Sequence, residues 1–331
     1  MPARPRILVT NPLHATVRAY LATFAEITEN PGPEPWPLEE ILRRAAAAEG
    51  LLAFMTDHVD AAFLEACPAL RVIACALKGT DNFDLRACRA RGVAVSFVPD
   101  LLTAPTAELT VGLMIALGRH LLEGDALVRS GGFAGWRPAL YGAGLDGAEV
   151  GILGMGAIGQ AIAQRLRGFG CRIAYADQCR PDAAREAEFG IVFSDADAII
   201  ARSDWLILAL PLTPQTRHRI DRTALRRMRP GAMLINPARG SLVEEAAVAE
   251  ALENGTLGGY AADVFEMEDW ALATRPRSID TRLLAHPRTL FTPHLGSAVG
   301  RVRQAIEMHA AEDLAAFFAG RPMPGAMKAV P

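Results

Sequence analysis

Short apolar runs alternate with helical patterns twice along this chain. In the first hundred residues Arg6–Thr10, Gly50–Met55, Leu70–Leu77 and Gly92–Val98 read as strands, with amphipathic segments between them, the first of which runs to about Phe24. Pro31–Pro37 is a proline-rich surface loop. Pro105 opens a long helical pattern through about Arg129, with Leu109, Leu113, Leu117 and Leu121 four residues apart, and Gly131 and Gly132 stop it. A second series follows. Glu149–Leu153, Cys171–Asp177, Asp204–Leu210, Gly231–Asn236, Gly258–Val264 and Thr289–Thr292 read as strands, Ala157–Phe169 as a helix closed by Gly170, and about Ala298–Ala319 as a final helix. Strands alternating with helices imply parallel sheets covered on both faces.

The first strand of the second series runs into Gly154-Met155-Gly156-Ala157-Ile158-Gly159, and Asp177 ends the next strand 18 residues after the last glycine. Strand, G-x-G-x-x-G, helix, strand and acid in that order form a dinucleotide-binding unit. Gly154 permits the tight turn, Gly156 lets the backbone approach a pyrophosphate, and Gly159 allows close packing of helix on strand. The N–H groups of Ala157 and Ile158 face an anion at the positive end of the helix. Asp177 accepts from a ribose 2′-hydroxyl and repels a 2′-phosphate, which predicts NAD rather than NADP; Arg180 nearby works against that preference.

The fold class expected is α/β, with two doubly wound parallel-sheet domains: a Rossmann NAD domain inserted into a flavodoxin-like substrate domain. The second series is complete without the final helix, which is therefore expected to return to the first domain. The boundaries are 1–101 with 296–331 for the substrate domain and 102–295 for the NAD domain, including the helix 105–130. The cleft is expected where the two meet.

Composition narrows the function classes. With 331 residues, two cores are expected. The net charge is 34 − 37 = −3 and there is no basic run, which argues against nucleic acid as a partner. No stretch reads as a signal peptide or a membrane span, and a cytoplasmic, reduced setting suits Cys67, Cys75, Cys88, Cys171 and Cys179, an odd number without a C-x-x-C pair. No metal site is expected. The 34 basic residues include only two lysines, Lys78 and Lys328, the second near the C-terminus.

Three residues at or beside strand ends carry the candidate chemistry: Arg239 in Asn-Pro-Ala-Arg-Gly, Glu268 in Asp-Val-Phe-Glu-Met-Glu, and His294 in Pro-His-Leu-Gly-Ser. Hydride transfer needs an anionic substrate held by a guanidinium fork, and a histidine near neutrality steadied by a carboxylate. Read singly, Arg239 is one arginine among many and Glu266 or Glu268 a solvated loop acid; read together beside a dinucleotide loop, they form a site.

In this order GMGAIG, Asp177, NPARG, DVFEMED and PHLGS resemble the D-isomer-specific 2-hydroxyacid dehydrogenase family over nearly the whole chain. The resemblance implies that Arg239 binds substrate, His294 is the acid/base and Glu268 its partner. It also implies a homodimer held largely by the NAD domains and the long helix. Around the glycine loop and Asp177, the expected cofactor contacts are Lys78, Thr106, Leu210, Pro211, Pro237, Ala238, Asp263, His294 and Ser297.

Several runs depart from the general pattern of that family: Ala76–Asp84 around Lys78, Leu52–Met55, Gly135–Gly142, and the arginine-rich insertion that follows Glu268-Asp269-Trp270. They resemble the phosphite-oxidising branch of the family. The expected substrate is then phosphite, a compact dianion that needs more positive charge than a hydroxy acid. Arg239, Lys78 and Arg303 supply it, with Met55, Trp136 and Tyr141 expected to wall the pocket. The alternatives are a D-2-hydroxyacid or glyoxylate/hydroxypyruvate reductase with the same triad, and a non-catalytic NAD-sensing binding protein.

Overall fold

The computed structural model describes residues 3–326; Lys328 lies outside the described residues. The chain forms two compact units, Met1–Leu102 with Trp270–Ala273 and Ala298–Pro331, and Thr103–Asp269 with Thr274–Ser297.

The first unit is built on five parallel strands: β1 (Arg6–Val9), β2 (Glu26–Glu29), β3 (Gly50–Ala53), β4 (Val72–Cys75) and β5 (Ala94–Phe97), in the order β2-β1-β3-β4-β5. β3 and β4 are buried at every position, because a parallel sheet covered on both faces leaves no polar side. The helix Gly300–Phe318 packs on this sheet and on Ala15–Leu21, placing Val302, Ile306, Ala310 and Leu314 in its core.

The second unit has seven parallel strands: β6 (Glu149–Leu153), β7 (Arg172–Ala176), β8 (Ile191–Phe193), β9 (Trp205–Leu208), β10 (Ala232–Asn236), β11 (Leu257–Ala262) and β12 (Thr289–Phe291). Their order is β12-β11-β10-β9-β6-β7-β8. The strand order reverses between the parallel neighbours β6 and β9, which makes their carboxyl ends the sheet's switch point, where such sheets bind ligands.

Two sequence expectations change. The long helix is two helices, Thr103–Gly118 and Leu121–Arg129, because His120 between them takes φ 52°, a left-handed conformation that no helix continues through. Gly118 also sits against Trp205 and the Ala143 carbonyl, where a Cβ would come within 2.6 Å of the ring. Contrary to the expectation that nothing reads as a span, Asp100–Gly118 is long and apolar enough to cross a membrane. Its apolarity has a local cause: Ala107, Leu113, Met114 and Leu117 belong to the core beneath β6, β9 and β10. All five cysteines are unbridged, and burial pushes the Cys67 and Cys88 thiols up to about 11.

Candidate active site

The NAD fingerprint folds as its glycines require. Gly154 has φ 99°, and a Cβ there would lie 2.3 Å from the Ala209 carbonyl; at Gly159 it would lie 2.1 Å from the carbonyl of Gly154. At Gly156 a Cβ would meet open space, and no side chain caps the helix Ala157–Leu166 that starts there. A bare helix N-terminus opening onto free space fits the pyrophosphate of a dinucleotide. Asp177 closes the loop from the next strand, its carboxylate accepting from the Met155 N–H at 2.5 Å and the Cys179 N–H at 2.8 Å.

Arg239, Glu268 and His294 all belong to this second unit. Arg239 follows β10 on a turn shaped by buried Asn236, whose side chain donates to the Arg239 carbonyl at 2.8 Å and accepts from the Ala238 N–H at 3.2 Å. Glu268 ends the short helical turn Glu266–Glu268 after β11. One of its oxygens accepts from the Phe265 N–H at 2.8 Å and the other lies 2.7 Å from Nδ1 of His294. With Nδ1 engaged by a carboxylate, Nε2 is the ring atom left to exchange a proton with substrate.

His294 takes φ 58°, an uncommon conformation for a non-glycine residue. Buried Asp263 enforces it. Its carboxylate accepts from the Thr292 hydroxyl and the Leu295 N–H, each at 2.6 Å, and from the Gly296 N–H at 2.8 Å, while its carbonyl accepts from the His294 N–H at 2.8 Å. Burial raises the Asp263 pKa, and these donors with nearby His294 oppose the rise. The fold thus shows Asp263 holding the histidine loop. Thr106 is buried below it, its hydroxyl donating to the Gly296 carbonyl at 3.2 Å. Leu210 and Pro211 lie just after β9, Pro237 and Ala238 just after β10, and Ser297 a few residues beyond β12.

Behind the triad stands an acidic group that sequence reasoning missed. Glu245, only 3% exposed, accepts from the Glu266 N–H at 2.8 Å, and the Glu266 carboxylate lies 2.6 Å from Nε2 of His218. Asp269 accepts from the Ser241 N–H at 2.7 Å, tying the Arg239 turn to the Glu268 turn. Burial pushes Glu245 up to about 7; the Glu266 N–H opposes this, while Glu266, Asp269 and Asp280 add to it. A carboxyl whose folded pKa lies above its ordinary 4.5 keeps its proton in the native chain while the unfolded chain loses it. Stability from this group is therefore full below about pH 4.5 and falls as pH rises towards 7. Glu245→Gln should flatten that fall by up to about 3 kcal/mol, read from urea unfolding at several pH values. An unchanged slope would show that the Glu245 pKa is the same in the native and the unfolded chain. Asp57 in the first unit, raised to about 6 by burial, keeps a slope of the same sign in the variant.

The first unit gathers its candidate residues at the carboxyl ends of β3 and β4. Lys78 pairs with Asp100. The Arg303 guanidinium lies 5.9 Å from the Phe54 ring centre and donates to the Ala76 carbonyl at 3.5 Å; desolvation lowers its pKa, opposed by Glu307. Met55 is half-buried against the core, its carbonyl accepting from Asn82 at 3.0 Å. Trp136 and Tyr141 depart from the expected pocket wall. They are 82% and 78% exposed on a stretch without strand or helix, and within this chain nothing covers them. Among the described residues no group of three or more His, Cys, Asp or Glu is arranged to hold a metal ion.

Comparison with known proteins agrees with this geometry. Residues 111–296 match the D-isomer specific 2-hydroxyacid dehydrogenase, NAD binding domain. The chain is 37% identical to the glyoxylate reductase/hydroxypyruvate reductase of Homo sapiens, covering 98% of each. It is 34% identical to the glyoxylate reductase of Thermococcus litoralis, covering 97% of this chain and 96% of that one. The crystal structure of TT0316 protein from Thermus thermophilus superposes with a TM-score of 0.87 at 34% identity, over 98% of this chain and all of that one. The chain belongs to the D-isomer specific 2-hydroxyacid dehydrogenases, and its second unit carries their NAD-binding domain.

Proposed function

We propose that this protein is an NAD-dependent dehydrogenase that oxidises phosphite to phosphate. The observation that carries the reading is the cationic character of the β4 end of the first unit. The only lysine among the described residues stands there, paired with Asp100, in a chain that otherwise uses arginine, and the half-buried Arg303 reaches the same strand end. Desolvation costs such a cation, which favours a site that receives an anion. A phosphite dianion asks for more such charge than a hydroxy acid. The runs Ala76–Asp84 and Glu268–Asp280, which depart from the general family pattern, support the same substrate.

In this reading Arg239 and Lys78 are the anion-binding cations of their respective units. His294, held by Glu268, takes a proton from water as the water oxygen bonds to phosphorus. The P–H bond breaks with its electron pair, and bound NAD supplies the hydride acceptor. Exposed apolar side chains at Leu122, Val128, Phe133, Trp136 and Tyr141 support the homodimer.

A second reading rests on the relatives' names, which favour it over phosphite: reduction of glyoxylate or hydroxypyruvate. Arg239 then binds the carboxylate as a fork and His294 donates its proton to the carbonyl oxygen. Identity of 34–37% establishes the family, and the triad serves either substrate.

One assay decides between them. NADH formation with phosphite is measured beside NADH consumption with glyoxylate and hydroxypyruvate on the same preparation. A kcat/KM for phosphite about 10⁴-fold or more above that for either oxo acid is expected, the scale on which a site built to hydrogen-bond one polar group rejects a substrate lacking it. Turnover of the oxo acids with none of phosphite would establish the second reading. Binding of NADH without turnover of any of them would leave an NAD-sensing protein.

A further inference from the structure

Arg180 stands three residues after Asp177, where a guanidinium could receive a 2′-phosphate. The structure shows it already engaged. Its Nε and one terminal nitrogen donate to the two oxygens of Glu186, at 2.7 and 2.8 Å. Tyr175, whose side chain rises from β7, donates its hydroxyl to the same carboxylate at 2.5 Å. The Arg180 guanidinium lies 5.2 Å from the ring centre of Phe193 on β8, and that ring meets Tyr175 edge to face at 5.5 Å. Glu186 is carried on the helix Ala183–Phe189, fixed at its start by Asp182, which accepts from the Arg185 N–H at 2.8 Å. The Glu186 side chain is 13% exposed against 59% for Arg180, so the acid is the fixed partner and the arginine the one drawn to it.

A two-pronged pair of this kind matches the fork of a guanidinium to both oxygens of a carboxylate, the arrangement it would otherwise offer a phosphate. Arg180 holds Glu186 down to about 2, with the Tyr175 hydroxyl adding to the effect.

We propose that Glu186 is a specificity-determining residue for the dinucleotide: it withholds Arg180 from a 2′-phosphate, so Asp177 discriminates against NADP without a competing cation. The proposal rests on Asp177 facing the ribose 2′-hydroxyl. NADP is excluded twice, by an anion placed where the phosphate would lie and by an anion that occupies the nearest guanidinium of this loop. Removing Asp177 alone leaves the second exclusion in place.

The test uses the intact protein and 2′,5′-ADP and 5′-ADP as probes, with affinities read by calorimetry and folding checked by thermal unfolding. Glu186→Gln keeps an acceptor for Tyr175 but drops the charge that holds Arg180. In an Asp177→Asn background it should tighten 2′,5′-ADP by about ten- to a hundredfold, the range of one or two hydrogen bonds to a charged group. Binding of 5′-ADP should not change. Adding Arg180→Ala should erase the gain, and kcat/KM with NADP should follow the same order. Arg180→Ala in the otherwise native chain should leave 2′,5′-ADP affinity where it was, because Arg180 is already withheld. A loss there overturns the proposal even if the glutamine variant does not fold. No gain from Glu186→Gln, or a gain that survives Arg180→Ala, also overturns it. If Asp177→Asn changes neither probe while Glu186→Gln still gains, the reading of Asp177 fails and the role of Glu186 stands.

Discussion

Replacing His294 by asparagine should lower kcat by about 10²- to 10⁴-fold, the range removed with a positioned acid or base. The imidazole is fixed from two sides. Glu268 lies 2.7 Å from Nδ1, and Asp263 holds the backbone in its left-handed turn through three acceptor contacts. Asparagine readily takes positive φ, so the loop survives and the loss reports on chemistry. The KM for NAD should change little. Glu268→Gln separates positioning from proton transfer. A glutamine can still accept from the Phe265 N–H, but it presents an amide to Nδ1, favouring the other tautomer, and it no longer stabilises a protonated ring. Turnover should therefore fall in Glu268→Gln, with the KM for NAD again little changed, because the ring is no longer oriented through Nδ1 by a carboxylate. Near-normal kcat in His294→Asn would remove the histidine from the mechanism for either substrate.

Where the sequence was legible, the reason is burial. β3, β4, β9 and β10 are covered at every position and announce themselves as unbroken apolar runs. The two strands that the apolar pattern does not reveal, β2 and β8, are both sheet edges. β2 is Glu-Ile-Thr-Glu, with no buried position, and β8 buries only Ile191. The other two edges, β5 and β12, did show in the pattern, so the reason is local: β2 buries no apolar side chain, and β8, although Ile-Val-Phe, is only three residues long. The break at His120 was hidden for a different reason. The leucine spacing runs on across it, and a histidine in the left-handed region leaves no mark in the pattern.

The triad was legible because strand ends carry the chemistry of these sheets, and the three motifs fall at such ends. The support beneath it was not. Glu266 read as a loop acid and is the partner of His218; Glu245 was passed over altogether. A signal for Glu245 did exist. On the helix Glu245–Glu253 it shares a face with Val248, Ala249 and Leu252, all buried, so an acid stands where the helical period asks for an apolar residue. Trp136 and Tyr141 show the opposite limit. Resemblance marked them, but side-chain type alone does not say what an exposed ring will meet.

Gly240→Ala should be the most damaging single-carbon change at the site. A Cβ at 240 would lie 1.9 Å from the Phe265 carbonyl carbon, 2.1 Å from the Glu266 nitrogen and 2.2 Å from the Phe265 oxygen. All three are backbone atoms, so no rotamer change relieves the overlap. The Arg239 turn and the Glu266–Glu268 turn must move apart by about 1.5 Å to restore ordinary contact. That motion pulls against the hydrogen bond from the Ser241 N–H to Asp269 and against the Glu245–Glu266 link, both of which hold the two turns in register. Separation on this scale in a reacting geometry costs about a hundredfold, and overpacking adds about 1–3 kcal/mol of destabilisation. The expected result is a folded protein with a lower unfolding midpoint and kcat/KM down by about 10² or more. Gly168→Ala is the matched control, because a Cβ there meets open space and the backbone is in a conformation open to alanine. It should leave both quantities unchanged. If Gly240→Ala keeps near-parental kcat/KM, Arg239 and Glu268 do not depend on the close approach of their two turns, and the buried acids behind them serve stability alone.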